Sequence, residues 1–169
     1  LLIADYISDT PVAYWVEGNL AKVYEKGKPI NEYSIVFEGL KTRNIQRFLR
    51  LWFEVNSPKW KPNAKGGSFR RWYGNNDYVV KWSTNGDEVR SYKQSSGANF
   101  AHFFKPTITY SALTSYKFSG RYIDNSIFGG GGGGITNSKI TEYLLGFVNS
   151  IVFFYLMNIF SQTMNFEVG

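Results

Sequence analysis

Lys65-Gly66-Gly67-Ser68-Phe69-Arg70-Arg71-Trp72-Tyr73-Gly74-Asn75-Asn76, and then Tyr78-Val79-Val80-Lys81-Trp82, is the stretch on which the reading of this chain turns. Its first part packs cations, small residues and aromatics into twelve positions. Its second part is β-branched and aromatic, ahead of Asn85-Gly86, a dipeptide that favours positive φ and a tight turn. The switch predicts a long functional loop, running from Ser57 to Asn76, that feeds a strand.

Outward from that strand the pattern repeats. Val12-Ala13-Tyr14-Trp15-Val16 and Tyr33-Ser34-Ile35-Val36-Phe37 are short apolar runs that end at turn signals and predict two earlier strands. Ile108-Thr109-Tyr110 and Lys117 through Ile123 predict later ones, and Ser95-Ser96-Gly97 marks a surface excursion. Thr42 or Asn44 can cap a helix near residues 44 to 53, whose Ile45, Phe48, Leu49 and Trp52 share one face beside Arg43, Arg47 and Arg50. Thr136-Asn137-Ser138 offers caps for a long buried helix near 139 to 160, with Ile140, Tyr143, Leu144, Phe147, Val148 and Ile151 on a wide stripe. The expected fold is therefore α/β in the α+β sense. It has a mixed, mostly antiparallel sheet, a basic helix and a long C-terminal helix, in one domain over residues 1–169.

Composition narrows the function. A hydrophobic share of 43% with 18% aromatics suffices for a folded core. Cysteine is absent and His102 is the single histidine, which excludes disulfides, thiolate nucleophiles and multi-histidine metal sites. No secretory signal is legible at the N-terminus, so a cytoplasmic protein is expected. Leu1-Leu2-Ile3 and Phe166-Glu167-Val168-Gly169 read as cuts from a longer chain. The net charge of +6 is concentrated: residues 41–93 hold 12 Lys/Arg against 4 Asp/Glu, and the remainder 7 against 9. A polyanionic partner would meet that basic segment.

Three features have rival readings. Tyr143 to Met164 carries no charge and is long enough to span a bilayer, but Asn149, Ser150, Asn158, Ser161 and Gln162 interrupt it, which favours a buried amphipathic helix over a membrane anchor. Gly129 to Gly134 lacks the Lys-Ser or Lys-Thr of a phosphate-binding loop, so residues 129–134 are expected to form a flexible surface loop. In the basic loop, glycines admit close backbone approach to phosphate, arginines can grip phosphate or guanine, and asparagines can pair with adenine. The same residues also suit a solvated basic loop anchored by Trp72 and Tyr73.

Taken together, Pro11 to Val16, Gly39-Leu40-Lys41-Thr42, Arg47 to Val55, the Lys65 to Asn75 loop, Ser119-Gly120-Arg121-Tyr122, Leu144 to Ser150 and Asn165 to Gly169 resemble the PglX-type adenine-specific DNA methyltransferases of the BREX phage-defence system. The helix followed by Asn149-Ser150 is also similar to the target recognition domains of restriction-modification specificity subunits. The resemblance implies a parent enzyme that uses S-adenosylmethionine to methylate an adenine amino group. In that parent this region lies after the catalytic domain and reads double-stranded DNA, with the catalytic domain and possible other defence proteins as its partners.

The fragment itself is expected to be non-catalytic and to hold no cofactor. It has no Pro-Pro pair with which to build the Asp/Asn-Pro-Pro-Tyr/Phe loop that grips a flipped base. His102, in Ala101-His102-Phe103-Phe104, is expected to be a core or strand-edge residue, and Asp77, Asp87 and Glu88 to be solvated charges. Phosphate contacts are expected mainly from Arg43, Arg47, Lys59, Lys61 and Lys65, with Gly66 and Gly67 admitting the backbone to the phosphates and Asn44 in the same DNA-binding set. Base contacts are expected from Arg70, Arg71, Asn75, Asn76 and Arg121, with Trp72 as either a contact or a core residue. The alternatives are an aromatic-rich carbohydrate- or protein-interaction module, with Trp60, Trp72 and Trp82 as a stacking platform, or a membrane-anchored domain.

Overall fold

The computed structural model of the chain describes residues 22–23, 26–92, 100–114, 116–136, 139–160 and 166. The expected strand at Val12–Val16 and the turn at Ser95–Gly97 lie outside the described residues. The strands are β1 (Ile35–Glu38), β2 (Leu49–Leu51), β3 (Trp60–Ala64), β4 (Tyr78–Lys81), β5 (Thr107–Ser111), β6 (Gly120–Ile123), β7 (Ile127–Phe128) and β8 (Gly132–Thr136). The helices are α1 (Ile45–Phe48), α2 (Asp87–Ser91), α3 (Thr141–Val148) and α4 (Ile151–Phe160). The α+β expectation holds, with two four-stranded sheets in place of one.

The first sheet runs β1-β8-β5-β6 and is antiparallel throughout. The second runs β2-β4-β3-β7, with β7 parallel to β3 and the other pairs antiparallel. Strand β5 is buried at all five positions, because both of its faces are covered. Ile108 and Tyr110 join Phe118, Ile135, Leu144 and Val148 in the core under α3. The second sheet contributes Leu49, Ala64, Val80, Ile127 and Phe128 to another core, with Phe48, Val89, Phe103 and Ile123.

The basic helix expected near 44 to 53 is a single turn. Asn44 caps it by accepting from the Arg47 N–H at 3.0 Å, and the chain leaves it at once as β2, paired with Tyr78–Val80. The supposed apolar face does not exist: Ile45 is 55% and Trp52 63% exposed, while the adjacent Phe48 and Leu49 are buried. Pairing with β4 satisfies the backbone of residues 49 to 51 and overrides the helical spacing. Two other spans are shorter or more regular than expected. The stretch from Ser57 to Asn76 contains β3, and the strand expected from Lys117 begins only at Gly120.

The C-terminal helix is broken. Thr136 ends β8 instead of capping it, and α3 and α4 are separated at Asn149–Ser150. Ser150 Oγ accepts from the Phe153 N–H at 3.1 Å and so caps α4, while Asn149 turns inward to β6. Nor is the pair buried all round, since Tyr143, Ile151, Val152 and Tyr155 are exposed. No helix among the described residues is long and apolar enough to cross a membrane.

The glycine run is not a surface loop. Gly132–Gly134 open β8, an interior strand held between β1 and β5. Side chains have no room there: a Cβ on Gly134 would lie 2.7 Å from the Phe128 ring, and one on Gly132 or Gly133 would collide with Tyr110. Gly129 and Gly130 carry the chain from one sheet to the other. The Gly129 N–H donates to Ala64 O at 2.7 Å, and the Gly130 N–H to Leu40 O at 2.6 Å. Gly131 completes the passage at φ 89°, a conformation that L side chains rarely adopt.

Candidate nucleic-acid interface

The loop from Lys65 to Asn76 is tied down at its neck, its middle and its far side. Lys65 N–H donates to Asn75 O at 3.1 Å and closes the neck. The Asn75 amide reaches across to Ser68 O at 3.0 Å, with Asn75 itself at φ 60°. Gly67 N–H donates to Ser111 Oγ at 3.1 Å, and the same hydroxyl donates to Gly67 O at 3.0 Å. Trp72 pairs in parallel with β6, its N–H donating to Gly120 O at 3.0 Å and its carbonyl accepting from the Tyr122 N–H at 2.9 Å.

These ties leave the tip projecting. Arg70, Arg71, Trp72 and Tyr73 are all exposed, the last two by 53% and 71%. Arg71 lies over the Phe69 ring at 5.4 Å, and Phe69 meets Tyr116 edge-on. A planar cation, a second cation and two aromatics are thereby presented from a backbone whose conformation is fixed elsewhere. Such a set can grip phosphate, read a guanine edge and stack on bases.

The other predicted contacts divide. Arg43 is exposed at φ 57°, and it lines a shared pocket with Lys65. Lys59 and Lys61 sit at the start of β3, Lys59 exposed and Lys61 half-buried. Arg47 is already engaged, its Nε and Nη2 donating to Glu88 Oε1 at 3.0 and 2.8 Å. Lys81 completes the cluster at 2.6 Å from Glu88. Lys81 and then Arg47 hold the Glu88 carboxyl below its usual range, so this residue is paired and not a lone solvated charge.

Asn44 and Asn75 spend their side chains inside the fold, on the Arg47 N–H and on Ser68 O. Gly66 lies against the carbonyl of Gly131, where a side chain would clash. Asn76 Oδ1 is buried without a hydrogen-bond partner among the described residues.

Arg121 is a correction. It is 1% exposed, with one side-chain hydrogen bond among the described residues, from Nη2 to Ser111 Oγ at 3.3 Å, and cannot reach a base edge. Burial pulls its guanidinium down to about 10. Its position under the loop ties the Ser111 hydroxyl, and through it Gly67, to β6.

Sequence reasoning missed the residue that joins these parts. Asn149 Oδ1 accepts from the Gly120 N–H at 3.0 Å, and Nδ2 donates to Gly120 O and Leu145 O, each at 2.9 Å. A side chain at Gly120 would crowd the helix, because a Cβ there would lie 2.6 Å from Val148 Cγ2. The loop, Ser119–Tyr122 and Leu144–Ser150, read separately in the sequence, are therefore one hydrogen-bonded unit. The Asn149-Ser150 pair after an apolar helix is the signal that could have found it.

The aromatic platform does not form, because Trp82 is buried beside Phe100, Phe103 and Phe104. His102 sits in a short 3-10 turn, its ring 5.0 Å from that of Phe37. Among the described residues no three His, Cys, Asp or Glu side chains could hold a metal ion together.

Over 96% of its length the chain is 29% identical to the adenine-specific methyltransferase PglX of Lacticaseibacillus casei (strain Zhang). It is also 29% identical, again over 96%, to the adenine-specific methyltransferase BrxX of Escherichia coli O9:H4 (strain HS). The chain spans 16% and 15% of the lengths of these two relatives. No family model matches it. The resemblance to BREX-type adenine methyltransferases drawn from the motifs is borne out over nearly the whole chain.

Proposed function

We propose that this chain is the DNA target-recognition part of an S-adenosylmethionine-dependent, adenine-specific DNA methyltransferase in a restriction-modification-like phage-defence system. It works in the cytoplasm, beside a catalytic domain of the same parent chain that binds the cofactor and transfers the methyl group. The observation that carries this reading is the Lys65–Asn76 loop: its backbone is fastened to β5 and β6, while the side chains of Arg70, Arg71, Trp72 and Tyr73 are exposed.

The division of labour follows from chemistry. Arg43, Lys59, Lys61 and Lys65 meet phosphates without choosing sequence. Arg70 and Arg71 read base edges, because a planar guanidinium matches the two acceptors of guanine. A loop fastened before binding loses little further entropy on contact, which concentrates the interaction energy in those side chains.

The test is fluorescence-anisotropy titration of the chain with labelled random duplex DNA over a range of salt concentrations, beside an Arg70→Ala/Arg71→Ala variant. Binding should weaken steeply with salt, and the double substitution should weaken it at every salt concentration. Binding that ignores salt, or a double variant that binds as the parent does, overturns the reading.

A further inference from the structure

Within the exposed loop, Trp72 holds a backbone conformation that its residue type disfavours. Its φ is 72°, and the Tyr73 N–H donates to Arg71 O at 2.8 Å across it, so Trp72 is the central residue of a γ-turn of the rare, strained hand. A bulky side chain makes such a φ costly, whereas glycine or asparagine adopts it far more readily. The loop uses those two residue types at its other positive-φ positions, Gly74 at 126° and Asn75 at 60°.

Strain of this kind persists only where the surroundings over-determine the conformation. Trp72 is held from both sides, its N–H donating to Gly120 O at 3.0 Å and its carbonyl accepting from the Tyr122 N–H at 2.9 Å. Gly120 is held in turn by the Asn149 amide. Core packing does not offset the strain here as it does at Phe104, which stands at φ 61° with its ring 5.9 Å from that of Trp82. Trp72 is 53% exposed, and its ring meets no other ring or cation among the described residues. The fold therefore presents an unpartnered indole on a stiff mount, where a glycine would relieve the backbone.

We propose that Trp72 is a wedge: its indole enters duplex DNA at one base step and unstacks it, so that the chain selects steps that deform easily. A flat ring inserted there gains stacking on the base faces, at the cost of the base–base stacking that it displaces. Pyrimidine–purine steps give way most readily. A wedge on a flexible arm would fold back instead of opening the step, and the two hydrogen bonds to β6 supply the stiffness. The inference rests on the DNA-recognition reading for its ligand, and adds to it a selection that needs no contact with a base edge.

Two comparisons test it, both by anisotropy with the whole 169-residue chain. In the first, a duplex with a single abasic site is set against the same duplex fully paired. The vacancy admits the indole without unstacking, so the abasic duplex should bind at least about fivefold tighter, the lower end of what stacking on one base contributes. In the second, an alternating dA-dT duplex, rich in deformable TA steps, is set against a duplex of one dA strand and one dT strand, which has the same composition but is stiff. The alternating duplex should bind severalfold tighter, and neither duplex holds a guanine for Arg70 or Arg71 to read. Trp72→Asn, which tolerates the positive φ, should melt no lower than the parent and lose both ratios. Trp72→Phe keeps a ring and should retain most of both.

The inference is overturned if either ratio is absent in the parent, survives in Trp72→Asn or falls equally in Trp72→Phe, or if Trp72→Asn melts well below the parent, which would make the ring a packing element. In any of those cases, paired duplex that still binds with the salt and Arg70/Arg71 dependence described above leaves the proposed function standing. Ratios that need Trp72 while binding ignores salt and both arginines keep the wedge and sink the proposed function. Absence of binding to every duplex sinks both.

Discussion

Replacing Asn149 with alanine removes three hydrogen bonds at once, and its consequence can be worked from their geometry. The Gly120 N–H and both carbonyl partners lie 2.9 to 3.0 Å from the amide, in a buried site between α3 and β6. A net neutral hydrogen bond is worth about 1 kcal/mol, and a buried donor left unpaired costs about 1–3 kcal/mol. Gly120 O retains the Trp72 N–H, so the main loss falls on the Gly120 N–H and on the packing of the break between helices. The expected destabilisation is about 3 kcal/mol, which for a chain of this size lowers Tm by roughly 6–12 °C. Asn149→Asp sharpens the test. It keeps an acceptor for Gly120 N–H but sets a carboxylate against two carbonyl oxygens, so at neutral pH it should be at least as damaging as alanine. Its folded carboxyl is then raised above the unfolded value, and the damage should shrink as pH falls toward about 4. Urea unfolding followed by tryptophan fluorescence measures both variants. A loss below about 0.5 kcal/mol for Asn149→Ala, inside the range of ordinary surface changes, would refute the clamp. The same variants should bind duplex DNA more weakly than their folded fraction explains, because Gly120 O anchors Trp72.

Gly120→Ala should destabilise by about 1–3 kcal/mol through overpacking against Val148 and Ile108, which the same urea titration reads. Arg121→Met, which replaces a buried cation with a single hydrogen bond by an apolar side chain, should leave stability unchanged or raise it. A large loss measured by calorimetry would show that the guanidinium has a partner it needs. Burial, with Glu38 adding to it, pushes the Tyr110 phenol up to about 12. Because the folded state holds that proton more tightly, the corresponding stability is present below about pH 10 and is lost as pH rises toward 12. Spectrophotometric titration of the native chain and of Tyr110→Phe should differ by one late-titrating phenol.

Much of the local structure could be read in the amino-acid order. The β-branched runs at residues 35–38, 78–81 and 107–111 are strands, and Asn85-Gly86 turns at φ 56° and 78°. The basic segment and its Arg70-Arg71-Trp72-Tyr73 tip were legible too, because charge and turn chemistry are local properties. The family resemblance rested on separate short motifs, each visible without any knowledge of where it lies in space. What sequence alone could not reveal depends on partners distant along the chain. Residues 49 to 51 have helical spacing but lie in a strand, since β4 satisfies their backbone. Six consecutive glycines read as a loop on entropy grounds, yet they enter an interior strand because Tyr110, Phe128 and Asn63 occupy the space where side chains would go. Arg121 carries the chemistry of a base reader and is buried, while Asn63 holds a buried carboxamide with no hydrogen-bond partner among the described residues. Residue type determined what each side chain can do. Tertiary packing decided which could reach a partner, since burial and hydrogen bonding are fixed by contacts that span the chain and leave no periodic trace in it.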